Sequence, residues 1–251
     1  MLFCRQPSQA KRGVGFLLCA VGVFLVFQSA QAQPQFSLVE AEGIFSIVAD
    51  GRVLLRVRHR GSYASCEERA KTILKNLQTV FSSSFKSPPT FRLAREGGGK
   101  VSALCGNKKL FTVSREDATL NASNTLDLAL LWLNEIQMVF FGIRSGTYRV
   151  EKKLQGFASW CSSRFEGQRT SAGETYSPYA FTAAHRTLPL GSILLITNLR
   201  NGKQVVVKVN DRGPRKKGRI VDLSRAAAKV LGMEKKGVEE VKIEVIRWGG
   251  K

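Results

Sequence analysis

Two histidines and five cysteines in 251 residues leave little material for metal chemistry. No C-x-x-C pair occurs and no Cys and His stand at metal-ligand spacing, so no metal site is expected. Cys66, Cys105 and Cys161 are read as small buried apolar residues, with a Cys66–Cys105 bridge as the alternative for two of them. Acid is scarce too: 19 Asp and Glu face 39 Lys and Arg, a formal net charge of +20. Such an excess points to an anionic partner: nucleic acid, an anionic membrane or an acidic envelope polymer. A membrane-length hydrophobic run is also missing. The apolar run from Val14 to Phe27 is 14 residues, short of the roughly 20 that span a bilayer as a helix.

What that run does have is the company of a secretory signal. Arg5, Lys11 and Arg12 precede it, and Ser29-Ala30-Gln31-Ala32 follows as an A-x-A cleavage site. Residues 1–32 are therefore read as a signal peptide, with an uncleaved anchor as the alternative. Cys19 lies inside the apolar run after Leu18, where a lipidation signal has a small residue, so no lipid anchor is expected. Cleavage after Ala32 removes three positive charges and no acid, taking the net charge from +20 to +17. Export to the periplasm or cell wall removes nucleic acid from the expected partners and leaves an acidic envelope polymer.

The remainder divides in two. Over residues 36–145, β-prone runs flank Asp50-Gly51, a two-residue hairpin signal. Ser65-Cys66-Glu67-Glu68 then opens a helix as a capping box, and Ile73, Leu74, Leu77 and Phe81 follow at helical spacing. After Pro88-Pro89 the arrangement recurs: two strands around Gly106-Asn107, then Ser114 to Asp117 capping a helix that runs to about Phe140. Hairpin–helix twice predicts an α+β domain with both helices on one face of a sheet. The Asn121-Ala122-Ser123 sequon falls inside that second helix. His59 and the Arg and Lys residues of this half read as a solvated face, and a partner protein of the envelope is the expectation for a half without a catalytic constellation.

Over residues 150–247 the character changes. FASW, YAFTAA, SILLITNL, KQVVVKVN, RIVDL and VKIEVIRW read as short strands between Gly, Pro and Asn turns, with one helix opened by Ser224. This predicts a small all-β barrel. Strand alternation puts Val205, Val207, Val209 and Asp211 on one face and Lys208, Asn210 and Arg212 on the other. One face is thus an apolar row ending in an acid, and Gly213-Pro214 breaks the strand and leaves Asp211 at the rim. A carboxyl at an apolar rim suits proton transfer, since desolvation favours its neutral form while nearby cations oppose this. A buried ion pair or a turn cap is the alternative role.

In order and in close succession the chain carries G-F-A-S-W (156–160), T-S-A-G-E (170–174), T-A-A-H-R-T-L-P-L-G (182–191), V-N-D-R-G-P (209–214) and R-I-V-D-L-S (219–224). Over residues 156–246 these motifs resemble the rare lipoprotein A family. The resemblance implies a six-stranded double-psi β-barrel and an endolytic lytic transglycosylase of peptidoglycan. Such an enzyme cleaves the bond between MurNAc and GlcNAc of peptide-poor glycan strands, leaves 1,6-anhydro-MurNAc ends, and uses no cofactor. Asp211 takes the role of acid and base, His185 that of a cleft residue handling substrate or protons or of a turn-fixing histidine, and Glu174, Trp160, Arg212 and Asn210 that of substrate contacts. Asp222 is read as structural, paired with Arg212 or Arg219. Arg215, Lys216, Lys217 and Arg219 flank the cleft. Two departures stand out: Cys161-Ser162 where the family has Tyr-Gly, and Ala172 where it commonly has Asn. They keep open a non-catalytic, expansin-like wall-binding protein. A glucan hydrolase would need a second carboxyl, for which Glu174 or Glu166 is the candidate. The N-terminal half resembles a domain found ahead of channels and other exported proteins of cyanobacteria.

Overall fold

The computed structural model describes residues 33–250; the signal peptide read over 1–32 lies outside them. No helix among the described residues is long and apolar enough to cross a membrane.

The N-terminal half opens with a three-stranded antiparallel sheet, β1 (Phe36–Ala41), β2 (Ile44–Ala49) and β3 (Arg52–Val57). The Asp50-Gly51 hairpin forms as expected, with both residues at positive φ (48° and 75°), the backbone that two-residue hairpin turns require. Helix α1 (Cys66–Phe81) starts at Ser65, whose hydroxyl accepts from Glu68 N. The second unit is a sheet of β4 (Phe91–Arg95), β5 (Val101–Cys105) and β6 (Lys108–Val113), followed by α2 (Arg115–Leu120) and α3 (Thr125–Phe140).

Three expectations change here. Each hairpin gains a preceding strand, because β1 and β4 pair with it in register. The half holds two small sheets, not one. The second helix is broken: Ala122 takes φ +49°, and Asn124 caps a new helix by accepting from Asp127 N. The sequon therefore lies in a turn between helices. Nor are all the basic residues solvated. Arg69 is 4% exposed and Asp117 1%. The guanidinium donates to both Asp117 oxygens (2.6 and 2.8 Å) and to the carbonyls of His59 and Thr112, tying α1 to α2 and β6. Cys66, Cys105 and Cys161 are all free thiols.

The C-terminal half is a closed barrel of six strands: β7 (Lys152–Trp160), β8 (Thr182–His185), β9 (Ile193–Asn198), β10 (Gln204–Asp211), β11 (Arg219–Leu223) and β12 (Glu239–Arg247). Their order around the barrel is β10-β8-β11-β7-β12-β9. The β10–β8 and β11–β7 pairs are parallel and the others antiparallel. Closure removes free strand edges. Helix α4 (Arg225–Val230) is capped by Ser224. Gly156 earns its place in the first motif, since a Cβ there would lie 3.0 Å from the Ile220 side chain.

The two halves share one core. Leu93 N donates to Tyr179 O and Phe181 N to Phe91 O, so residues 179–181 run beside β4. Buried side chains of both halves form a continuous cluster that includes Phe91, Leu133, Phe181 and Val207; each such side chain contributes about 1.5–3 kcal/mol on leaving water. A smaller cluster sets Met138 of α3 against Ile193, Leu195 and Val206.

Candidate active site

Strand β10 carries the site because it is buried on both faces. Val205, Val207 and Val209 enter the main core, whereas Val206 packs against α3. The alternation expected from sequence holds up to Val209, where the pairing with β8 shifts register before Asp211. The strand ends at Asp211 and the chain turns away through Gly213-Pro214, leaving the carboxyl in the wall of a cleft of about 1340 Å³. Trp160, Asn210, Arg212 and Asp222 also line it.

Asp211 is held asymmetrically. Its Oδ1 accepts from Ser171 N (2.9 Å), Ser171 Oγ (2.7 Å) and its neighbour Arg212 N (2.8 Å). Among the described residues Oδ2 has no hydrogen-bond donor, so it is the oxygen free for exchange with a ligand. Ser171 reaches Asp211 from the tip of a tight turn over 170–174. Thr170 N donates to Glu174 O, and Glu174 N to Thr170 Oγ1. Gly173 sits at φ +78°, a conformation that costs other residues strain.

Other residues take less direct places. Glu174 does not line the cleft; it accepts from Lys208 Nζ (2.5 Å) and Asn210 Nδ2 (2.9 Å) behind the wall. His185 is 7% exposed and also stands off the lining, with Nδ1 accepting from the amides of Thr187 and Leu188. Burial, then Lys152, Arg212 and Arg186, push its pKa below the ordinary histidine value. Arg212 donates to the carbonyls of His185 and Leu188, clamping the same turn. Asp222 pairs with neither Arg212 nor Arg219: its Oδ1 accepts from the Ser159 hydroxyl. It is also the second carboxylate of the cleft; Glu166 and Glu174 are not among the lining residues. Cys161 lines the cleft, and burial, reinforced by Asp222 and Asp211, pushes its thiol up to about 11, so it is not an ionised nucleophile near neutral pH. Ala172 supports the turn from behind, its amide donating to Asn210 O.

The cleft is strongly cationic. Arg164, Arg169, Arg186, Arg212, Arg215 and Arg219 line it, and among the described residues none forms an ion pair with a carboxylate. Several are fixed by carbonyls instead: Arg186 holds Pro214 O (2.7 Å) and Lys216 O, and Arg169 holds Gly173 O. Uncompensated guanidinium groups around a cleft focus an anion-attracting field. Sequence reasoning marked only Arg212 and the 215–219 run. Arg164, Arg169, Arg186 and Ser171 were missed because their loops converge only once the barrel closes. Among the described residues no group of three or more His, Cys, Asp or Glu converges to hold a metal ion.

The closed six-stranded barrel, with two parallel and four antiparallel pairings, is of the double-psi β-barrel class. The model of the lytic transglycolase family matches residues 154–243, and that of a domain of unknown function matches residues 46–140. The chain is 49% identical over 111 residues to the endolytic peptidoglycan transglycosylase RlpA of Vibrio cholerae, covering 42% of each chain. To the RlpA of Pseudomonas aeruginosa PAO1 it is 54% identical over 94 residues, 38% of this chain and 28% of that one. A probable RlpA of Synechocystis sp. is 30% identical over 199 residues, 72% of this chain and 62% of the relative. The chain thus spans less than two thirds of the length of each. Its barrel, residues 154–243, belongs to the rare lipoprotein A family.

Proposed function

We propose that this protein is an exported endolytic lytic transglycosylase acting on peptide-poor peptidoglycan strands, with Asp211 as both acid and base. The carrying observation is the carboxylate itself: one oxygen fixed by Ser171 and Arg212 N, the other free, in a cleft lined by arginines. Oδ2 protonates the leaving glycosidic oxygen as the bond to the anomeric carbon breaks. The 6-hydroxyl of the same MurNAc then bonds to that carbon and returns its proton to Oδ2. One bond breaks, one forms, and one proton moves from O6 to the leaving oxygen. No water is consumed, so a single carboxyl serves both steps. Strands without peptides expose lactyl carboxylates, which complement the six cleft arginines. Arg212 and Asn210 border the acid, and Trp160 offers an indole face to a sugar ring. His185 acts at one remove, fixing the 185–188 turn that Arg212 clamps, and Glu174 likewise supports the wall from behind.

The test uses the mature protein and purified, peptide-stripped glycan strands, with products read by mass. Anhydro ends are expected, and Asp211→Asn should cut their formation by at least about 10²-fold, the typical worth of a positioned acid–base group. Binding without products would favour the expansin-like reading. Products one water heavier would indicate a hydrolase using Asp222 as the second carboxyl.

A further inference from the structure

We propose that the N-terminal half is a built-in brace for the turn that orients Asp211, acting through Thr90, Lys208 and Glu174. The functional meaning rests on the reading of Asp211 as the acid–base group; the physical coupling does not.

The brace begins at Lys208. A lysine 8% exposed in a barrel strand is costly unless its ammonium is paired and hydrogen-bonded. Here it meets Glu174 Oε1 at 2.5 Å and Thr90 Oγ1 at 3.2 Å. Thr90 belongs to the other half of the chain. Its carbonyl accepts from Gly106 N, and the next carbonyl, of Phe91, accepts from Phe181 N; Phe181 O in turn accepts from Lys208 N. The ammonium is thus anchored between the start of β4 and the barrel wall.

Glu174 transmits that anchoring. Lys208 holds one of its oxygens and Asn210 Nδ2 the other, so two outward-facing residues of β10 fix the carboxylate. Its backbone closes the 170–174 turn onto Thr170, and Ala172 N ties the turn back to Asn210 O. At the tip, Ser171 supplies two of the three donors to Asp211 Oδ1. Thr90, Lys208 and Glu174 are positioning residues: Thr90 touches Lys208, Lys208 touches the turn through Glu174, and none of the three lines the cleft. Without the N-terminal half the ammonium would lose the Thr90 hydroxyl.

The experiment uses the full mature chain in four forms: wild type, Thr90→Val, which keeps shape and loses the hydroxyl, Thr90→Ser, which keeps the hydroxyl, and Lys208→Met. Amide hydrogen exchange is followed across residues 168–175 and, as an internal reference, β9 and β12. Lys208→Met should speed exchange in 168–175 by at least about tenfold and Thr90→Val by about fivefold, roughly the loss of one hydrogen bond. Thr90→Ser should match wild type, and β9 and β12 should not change. On glycan strands the same two variants should lower kcat with KM held. Unchanged exchange in 168–175, or a uniform rise across the barrel, would overturn the brace. A wild type that releases no anhydro product would sink the reading of Asp211 while leaving the exchange result to decide the coupling.

Discussion

At the scale of the residue, the partners that the fold gives His185 are backbone amides. Its Nδ1 is an acceptor for two amides, and protonation would turn that acceptor into a donor facing donors. Because the folded state holds its pKa below 6.5, the unfolded chain binds the proton first, and folding stability falls as pH drops below about 6.5. Denaturant midpoints measured from roughly pH 7.5 to 5 should fall for the wild type. His185→Asn, whose Oδ1 still accepts, should flatten that slope at a cost of about 1 kcal/mol at neutral pH. The place of Asp211 at the end of β10 was legible in the sequence because a strand's period of two and the Gly-Pro break are local signals. Ser171 was not: it is 40 positions away, and nothing local says that its turn folds over the end of β10.

At the scale of elements, the sequence was most readable where a cap or a turn had its own chemistry. The Asp50-Gly51 hairpin, the Ser65, Ser114 and Ser224 caps and all six barrel strands follow from such signals. Strands β1 and β4 were missed because exposed or mixed runs such as FSLVEA and FRLAR become strands only by pairing with a neighbour. The helix break at Ala122 was missed because Leu and Ala on both sides favour a helix, and only Asn124, as a cap, marks the restart. The Arg69–Asp117 pair was hidden for another reason: its members lie 48 residues apart. It ties α1, α2 and β6 together while buried, so Arg69→Met, by leaving the Asp117 carboxylate without its cation, should destabilise the protein by about 3–5 kcal/mol in urea unfolding. Lys71→Met, which removes the exposed pair with Glu67, should change stability by no more than about 1 kcal/mol.

For the whole molecule, the excess of basic residues pointed to an anionic partner but not to where that charge would gather. The structure gathers six arginines without acid partners at one cleft, so binding of carboxylate-bearing glycan should weaken steeply with salt. Titrations between about 50 and 500 mM NaCl should show the dissociation constant rising by more than tenfold, and Arg215→Ala with Arg219→Ala should blunt that rise. Uncharged, lactyl-amidated strands should show little salt dependence. The shared core has a consequence for anyone cutting this chain in two. A fragment starting near residue 150 would bare Phe181, 1% exposed in the whole, the apolar patch of Ile193, Leu195 and Val206, and the strand-like edge at 179–181 that β4 now pairs. Such a fragment would offer an open edge and a greasy flank to its own copies, and self-association would mask whatever the isolated barrel can do.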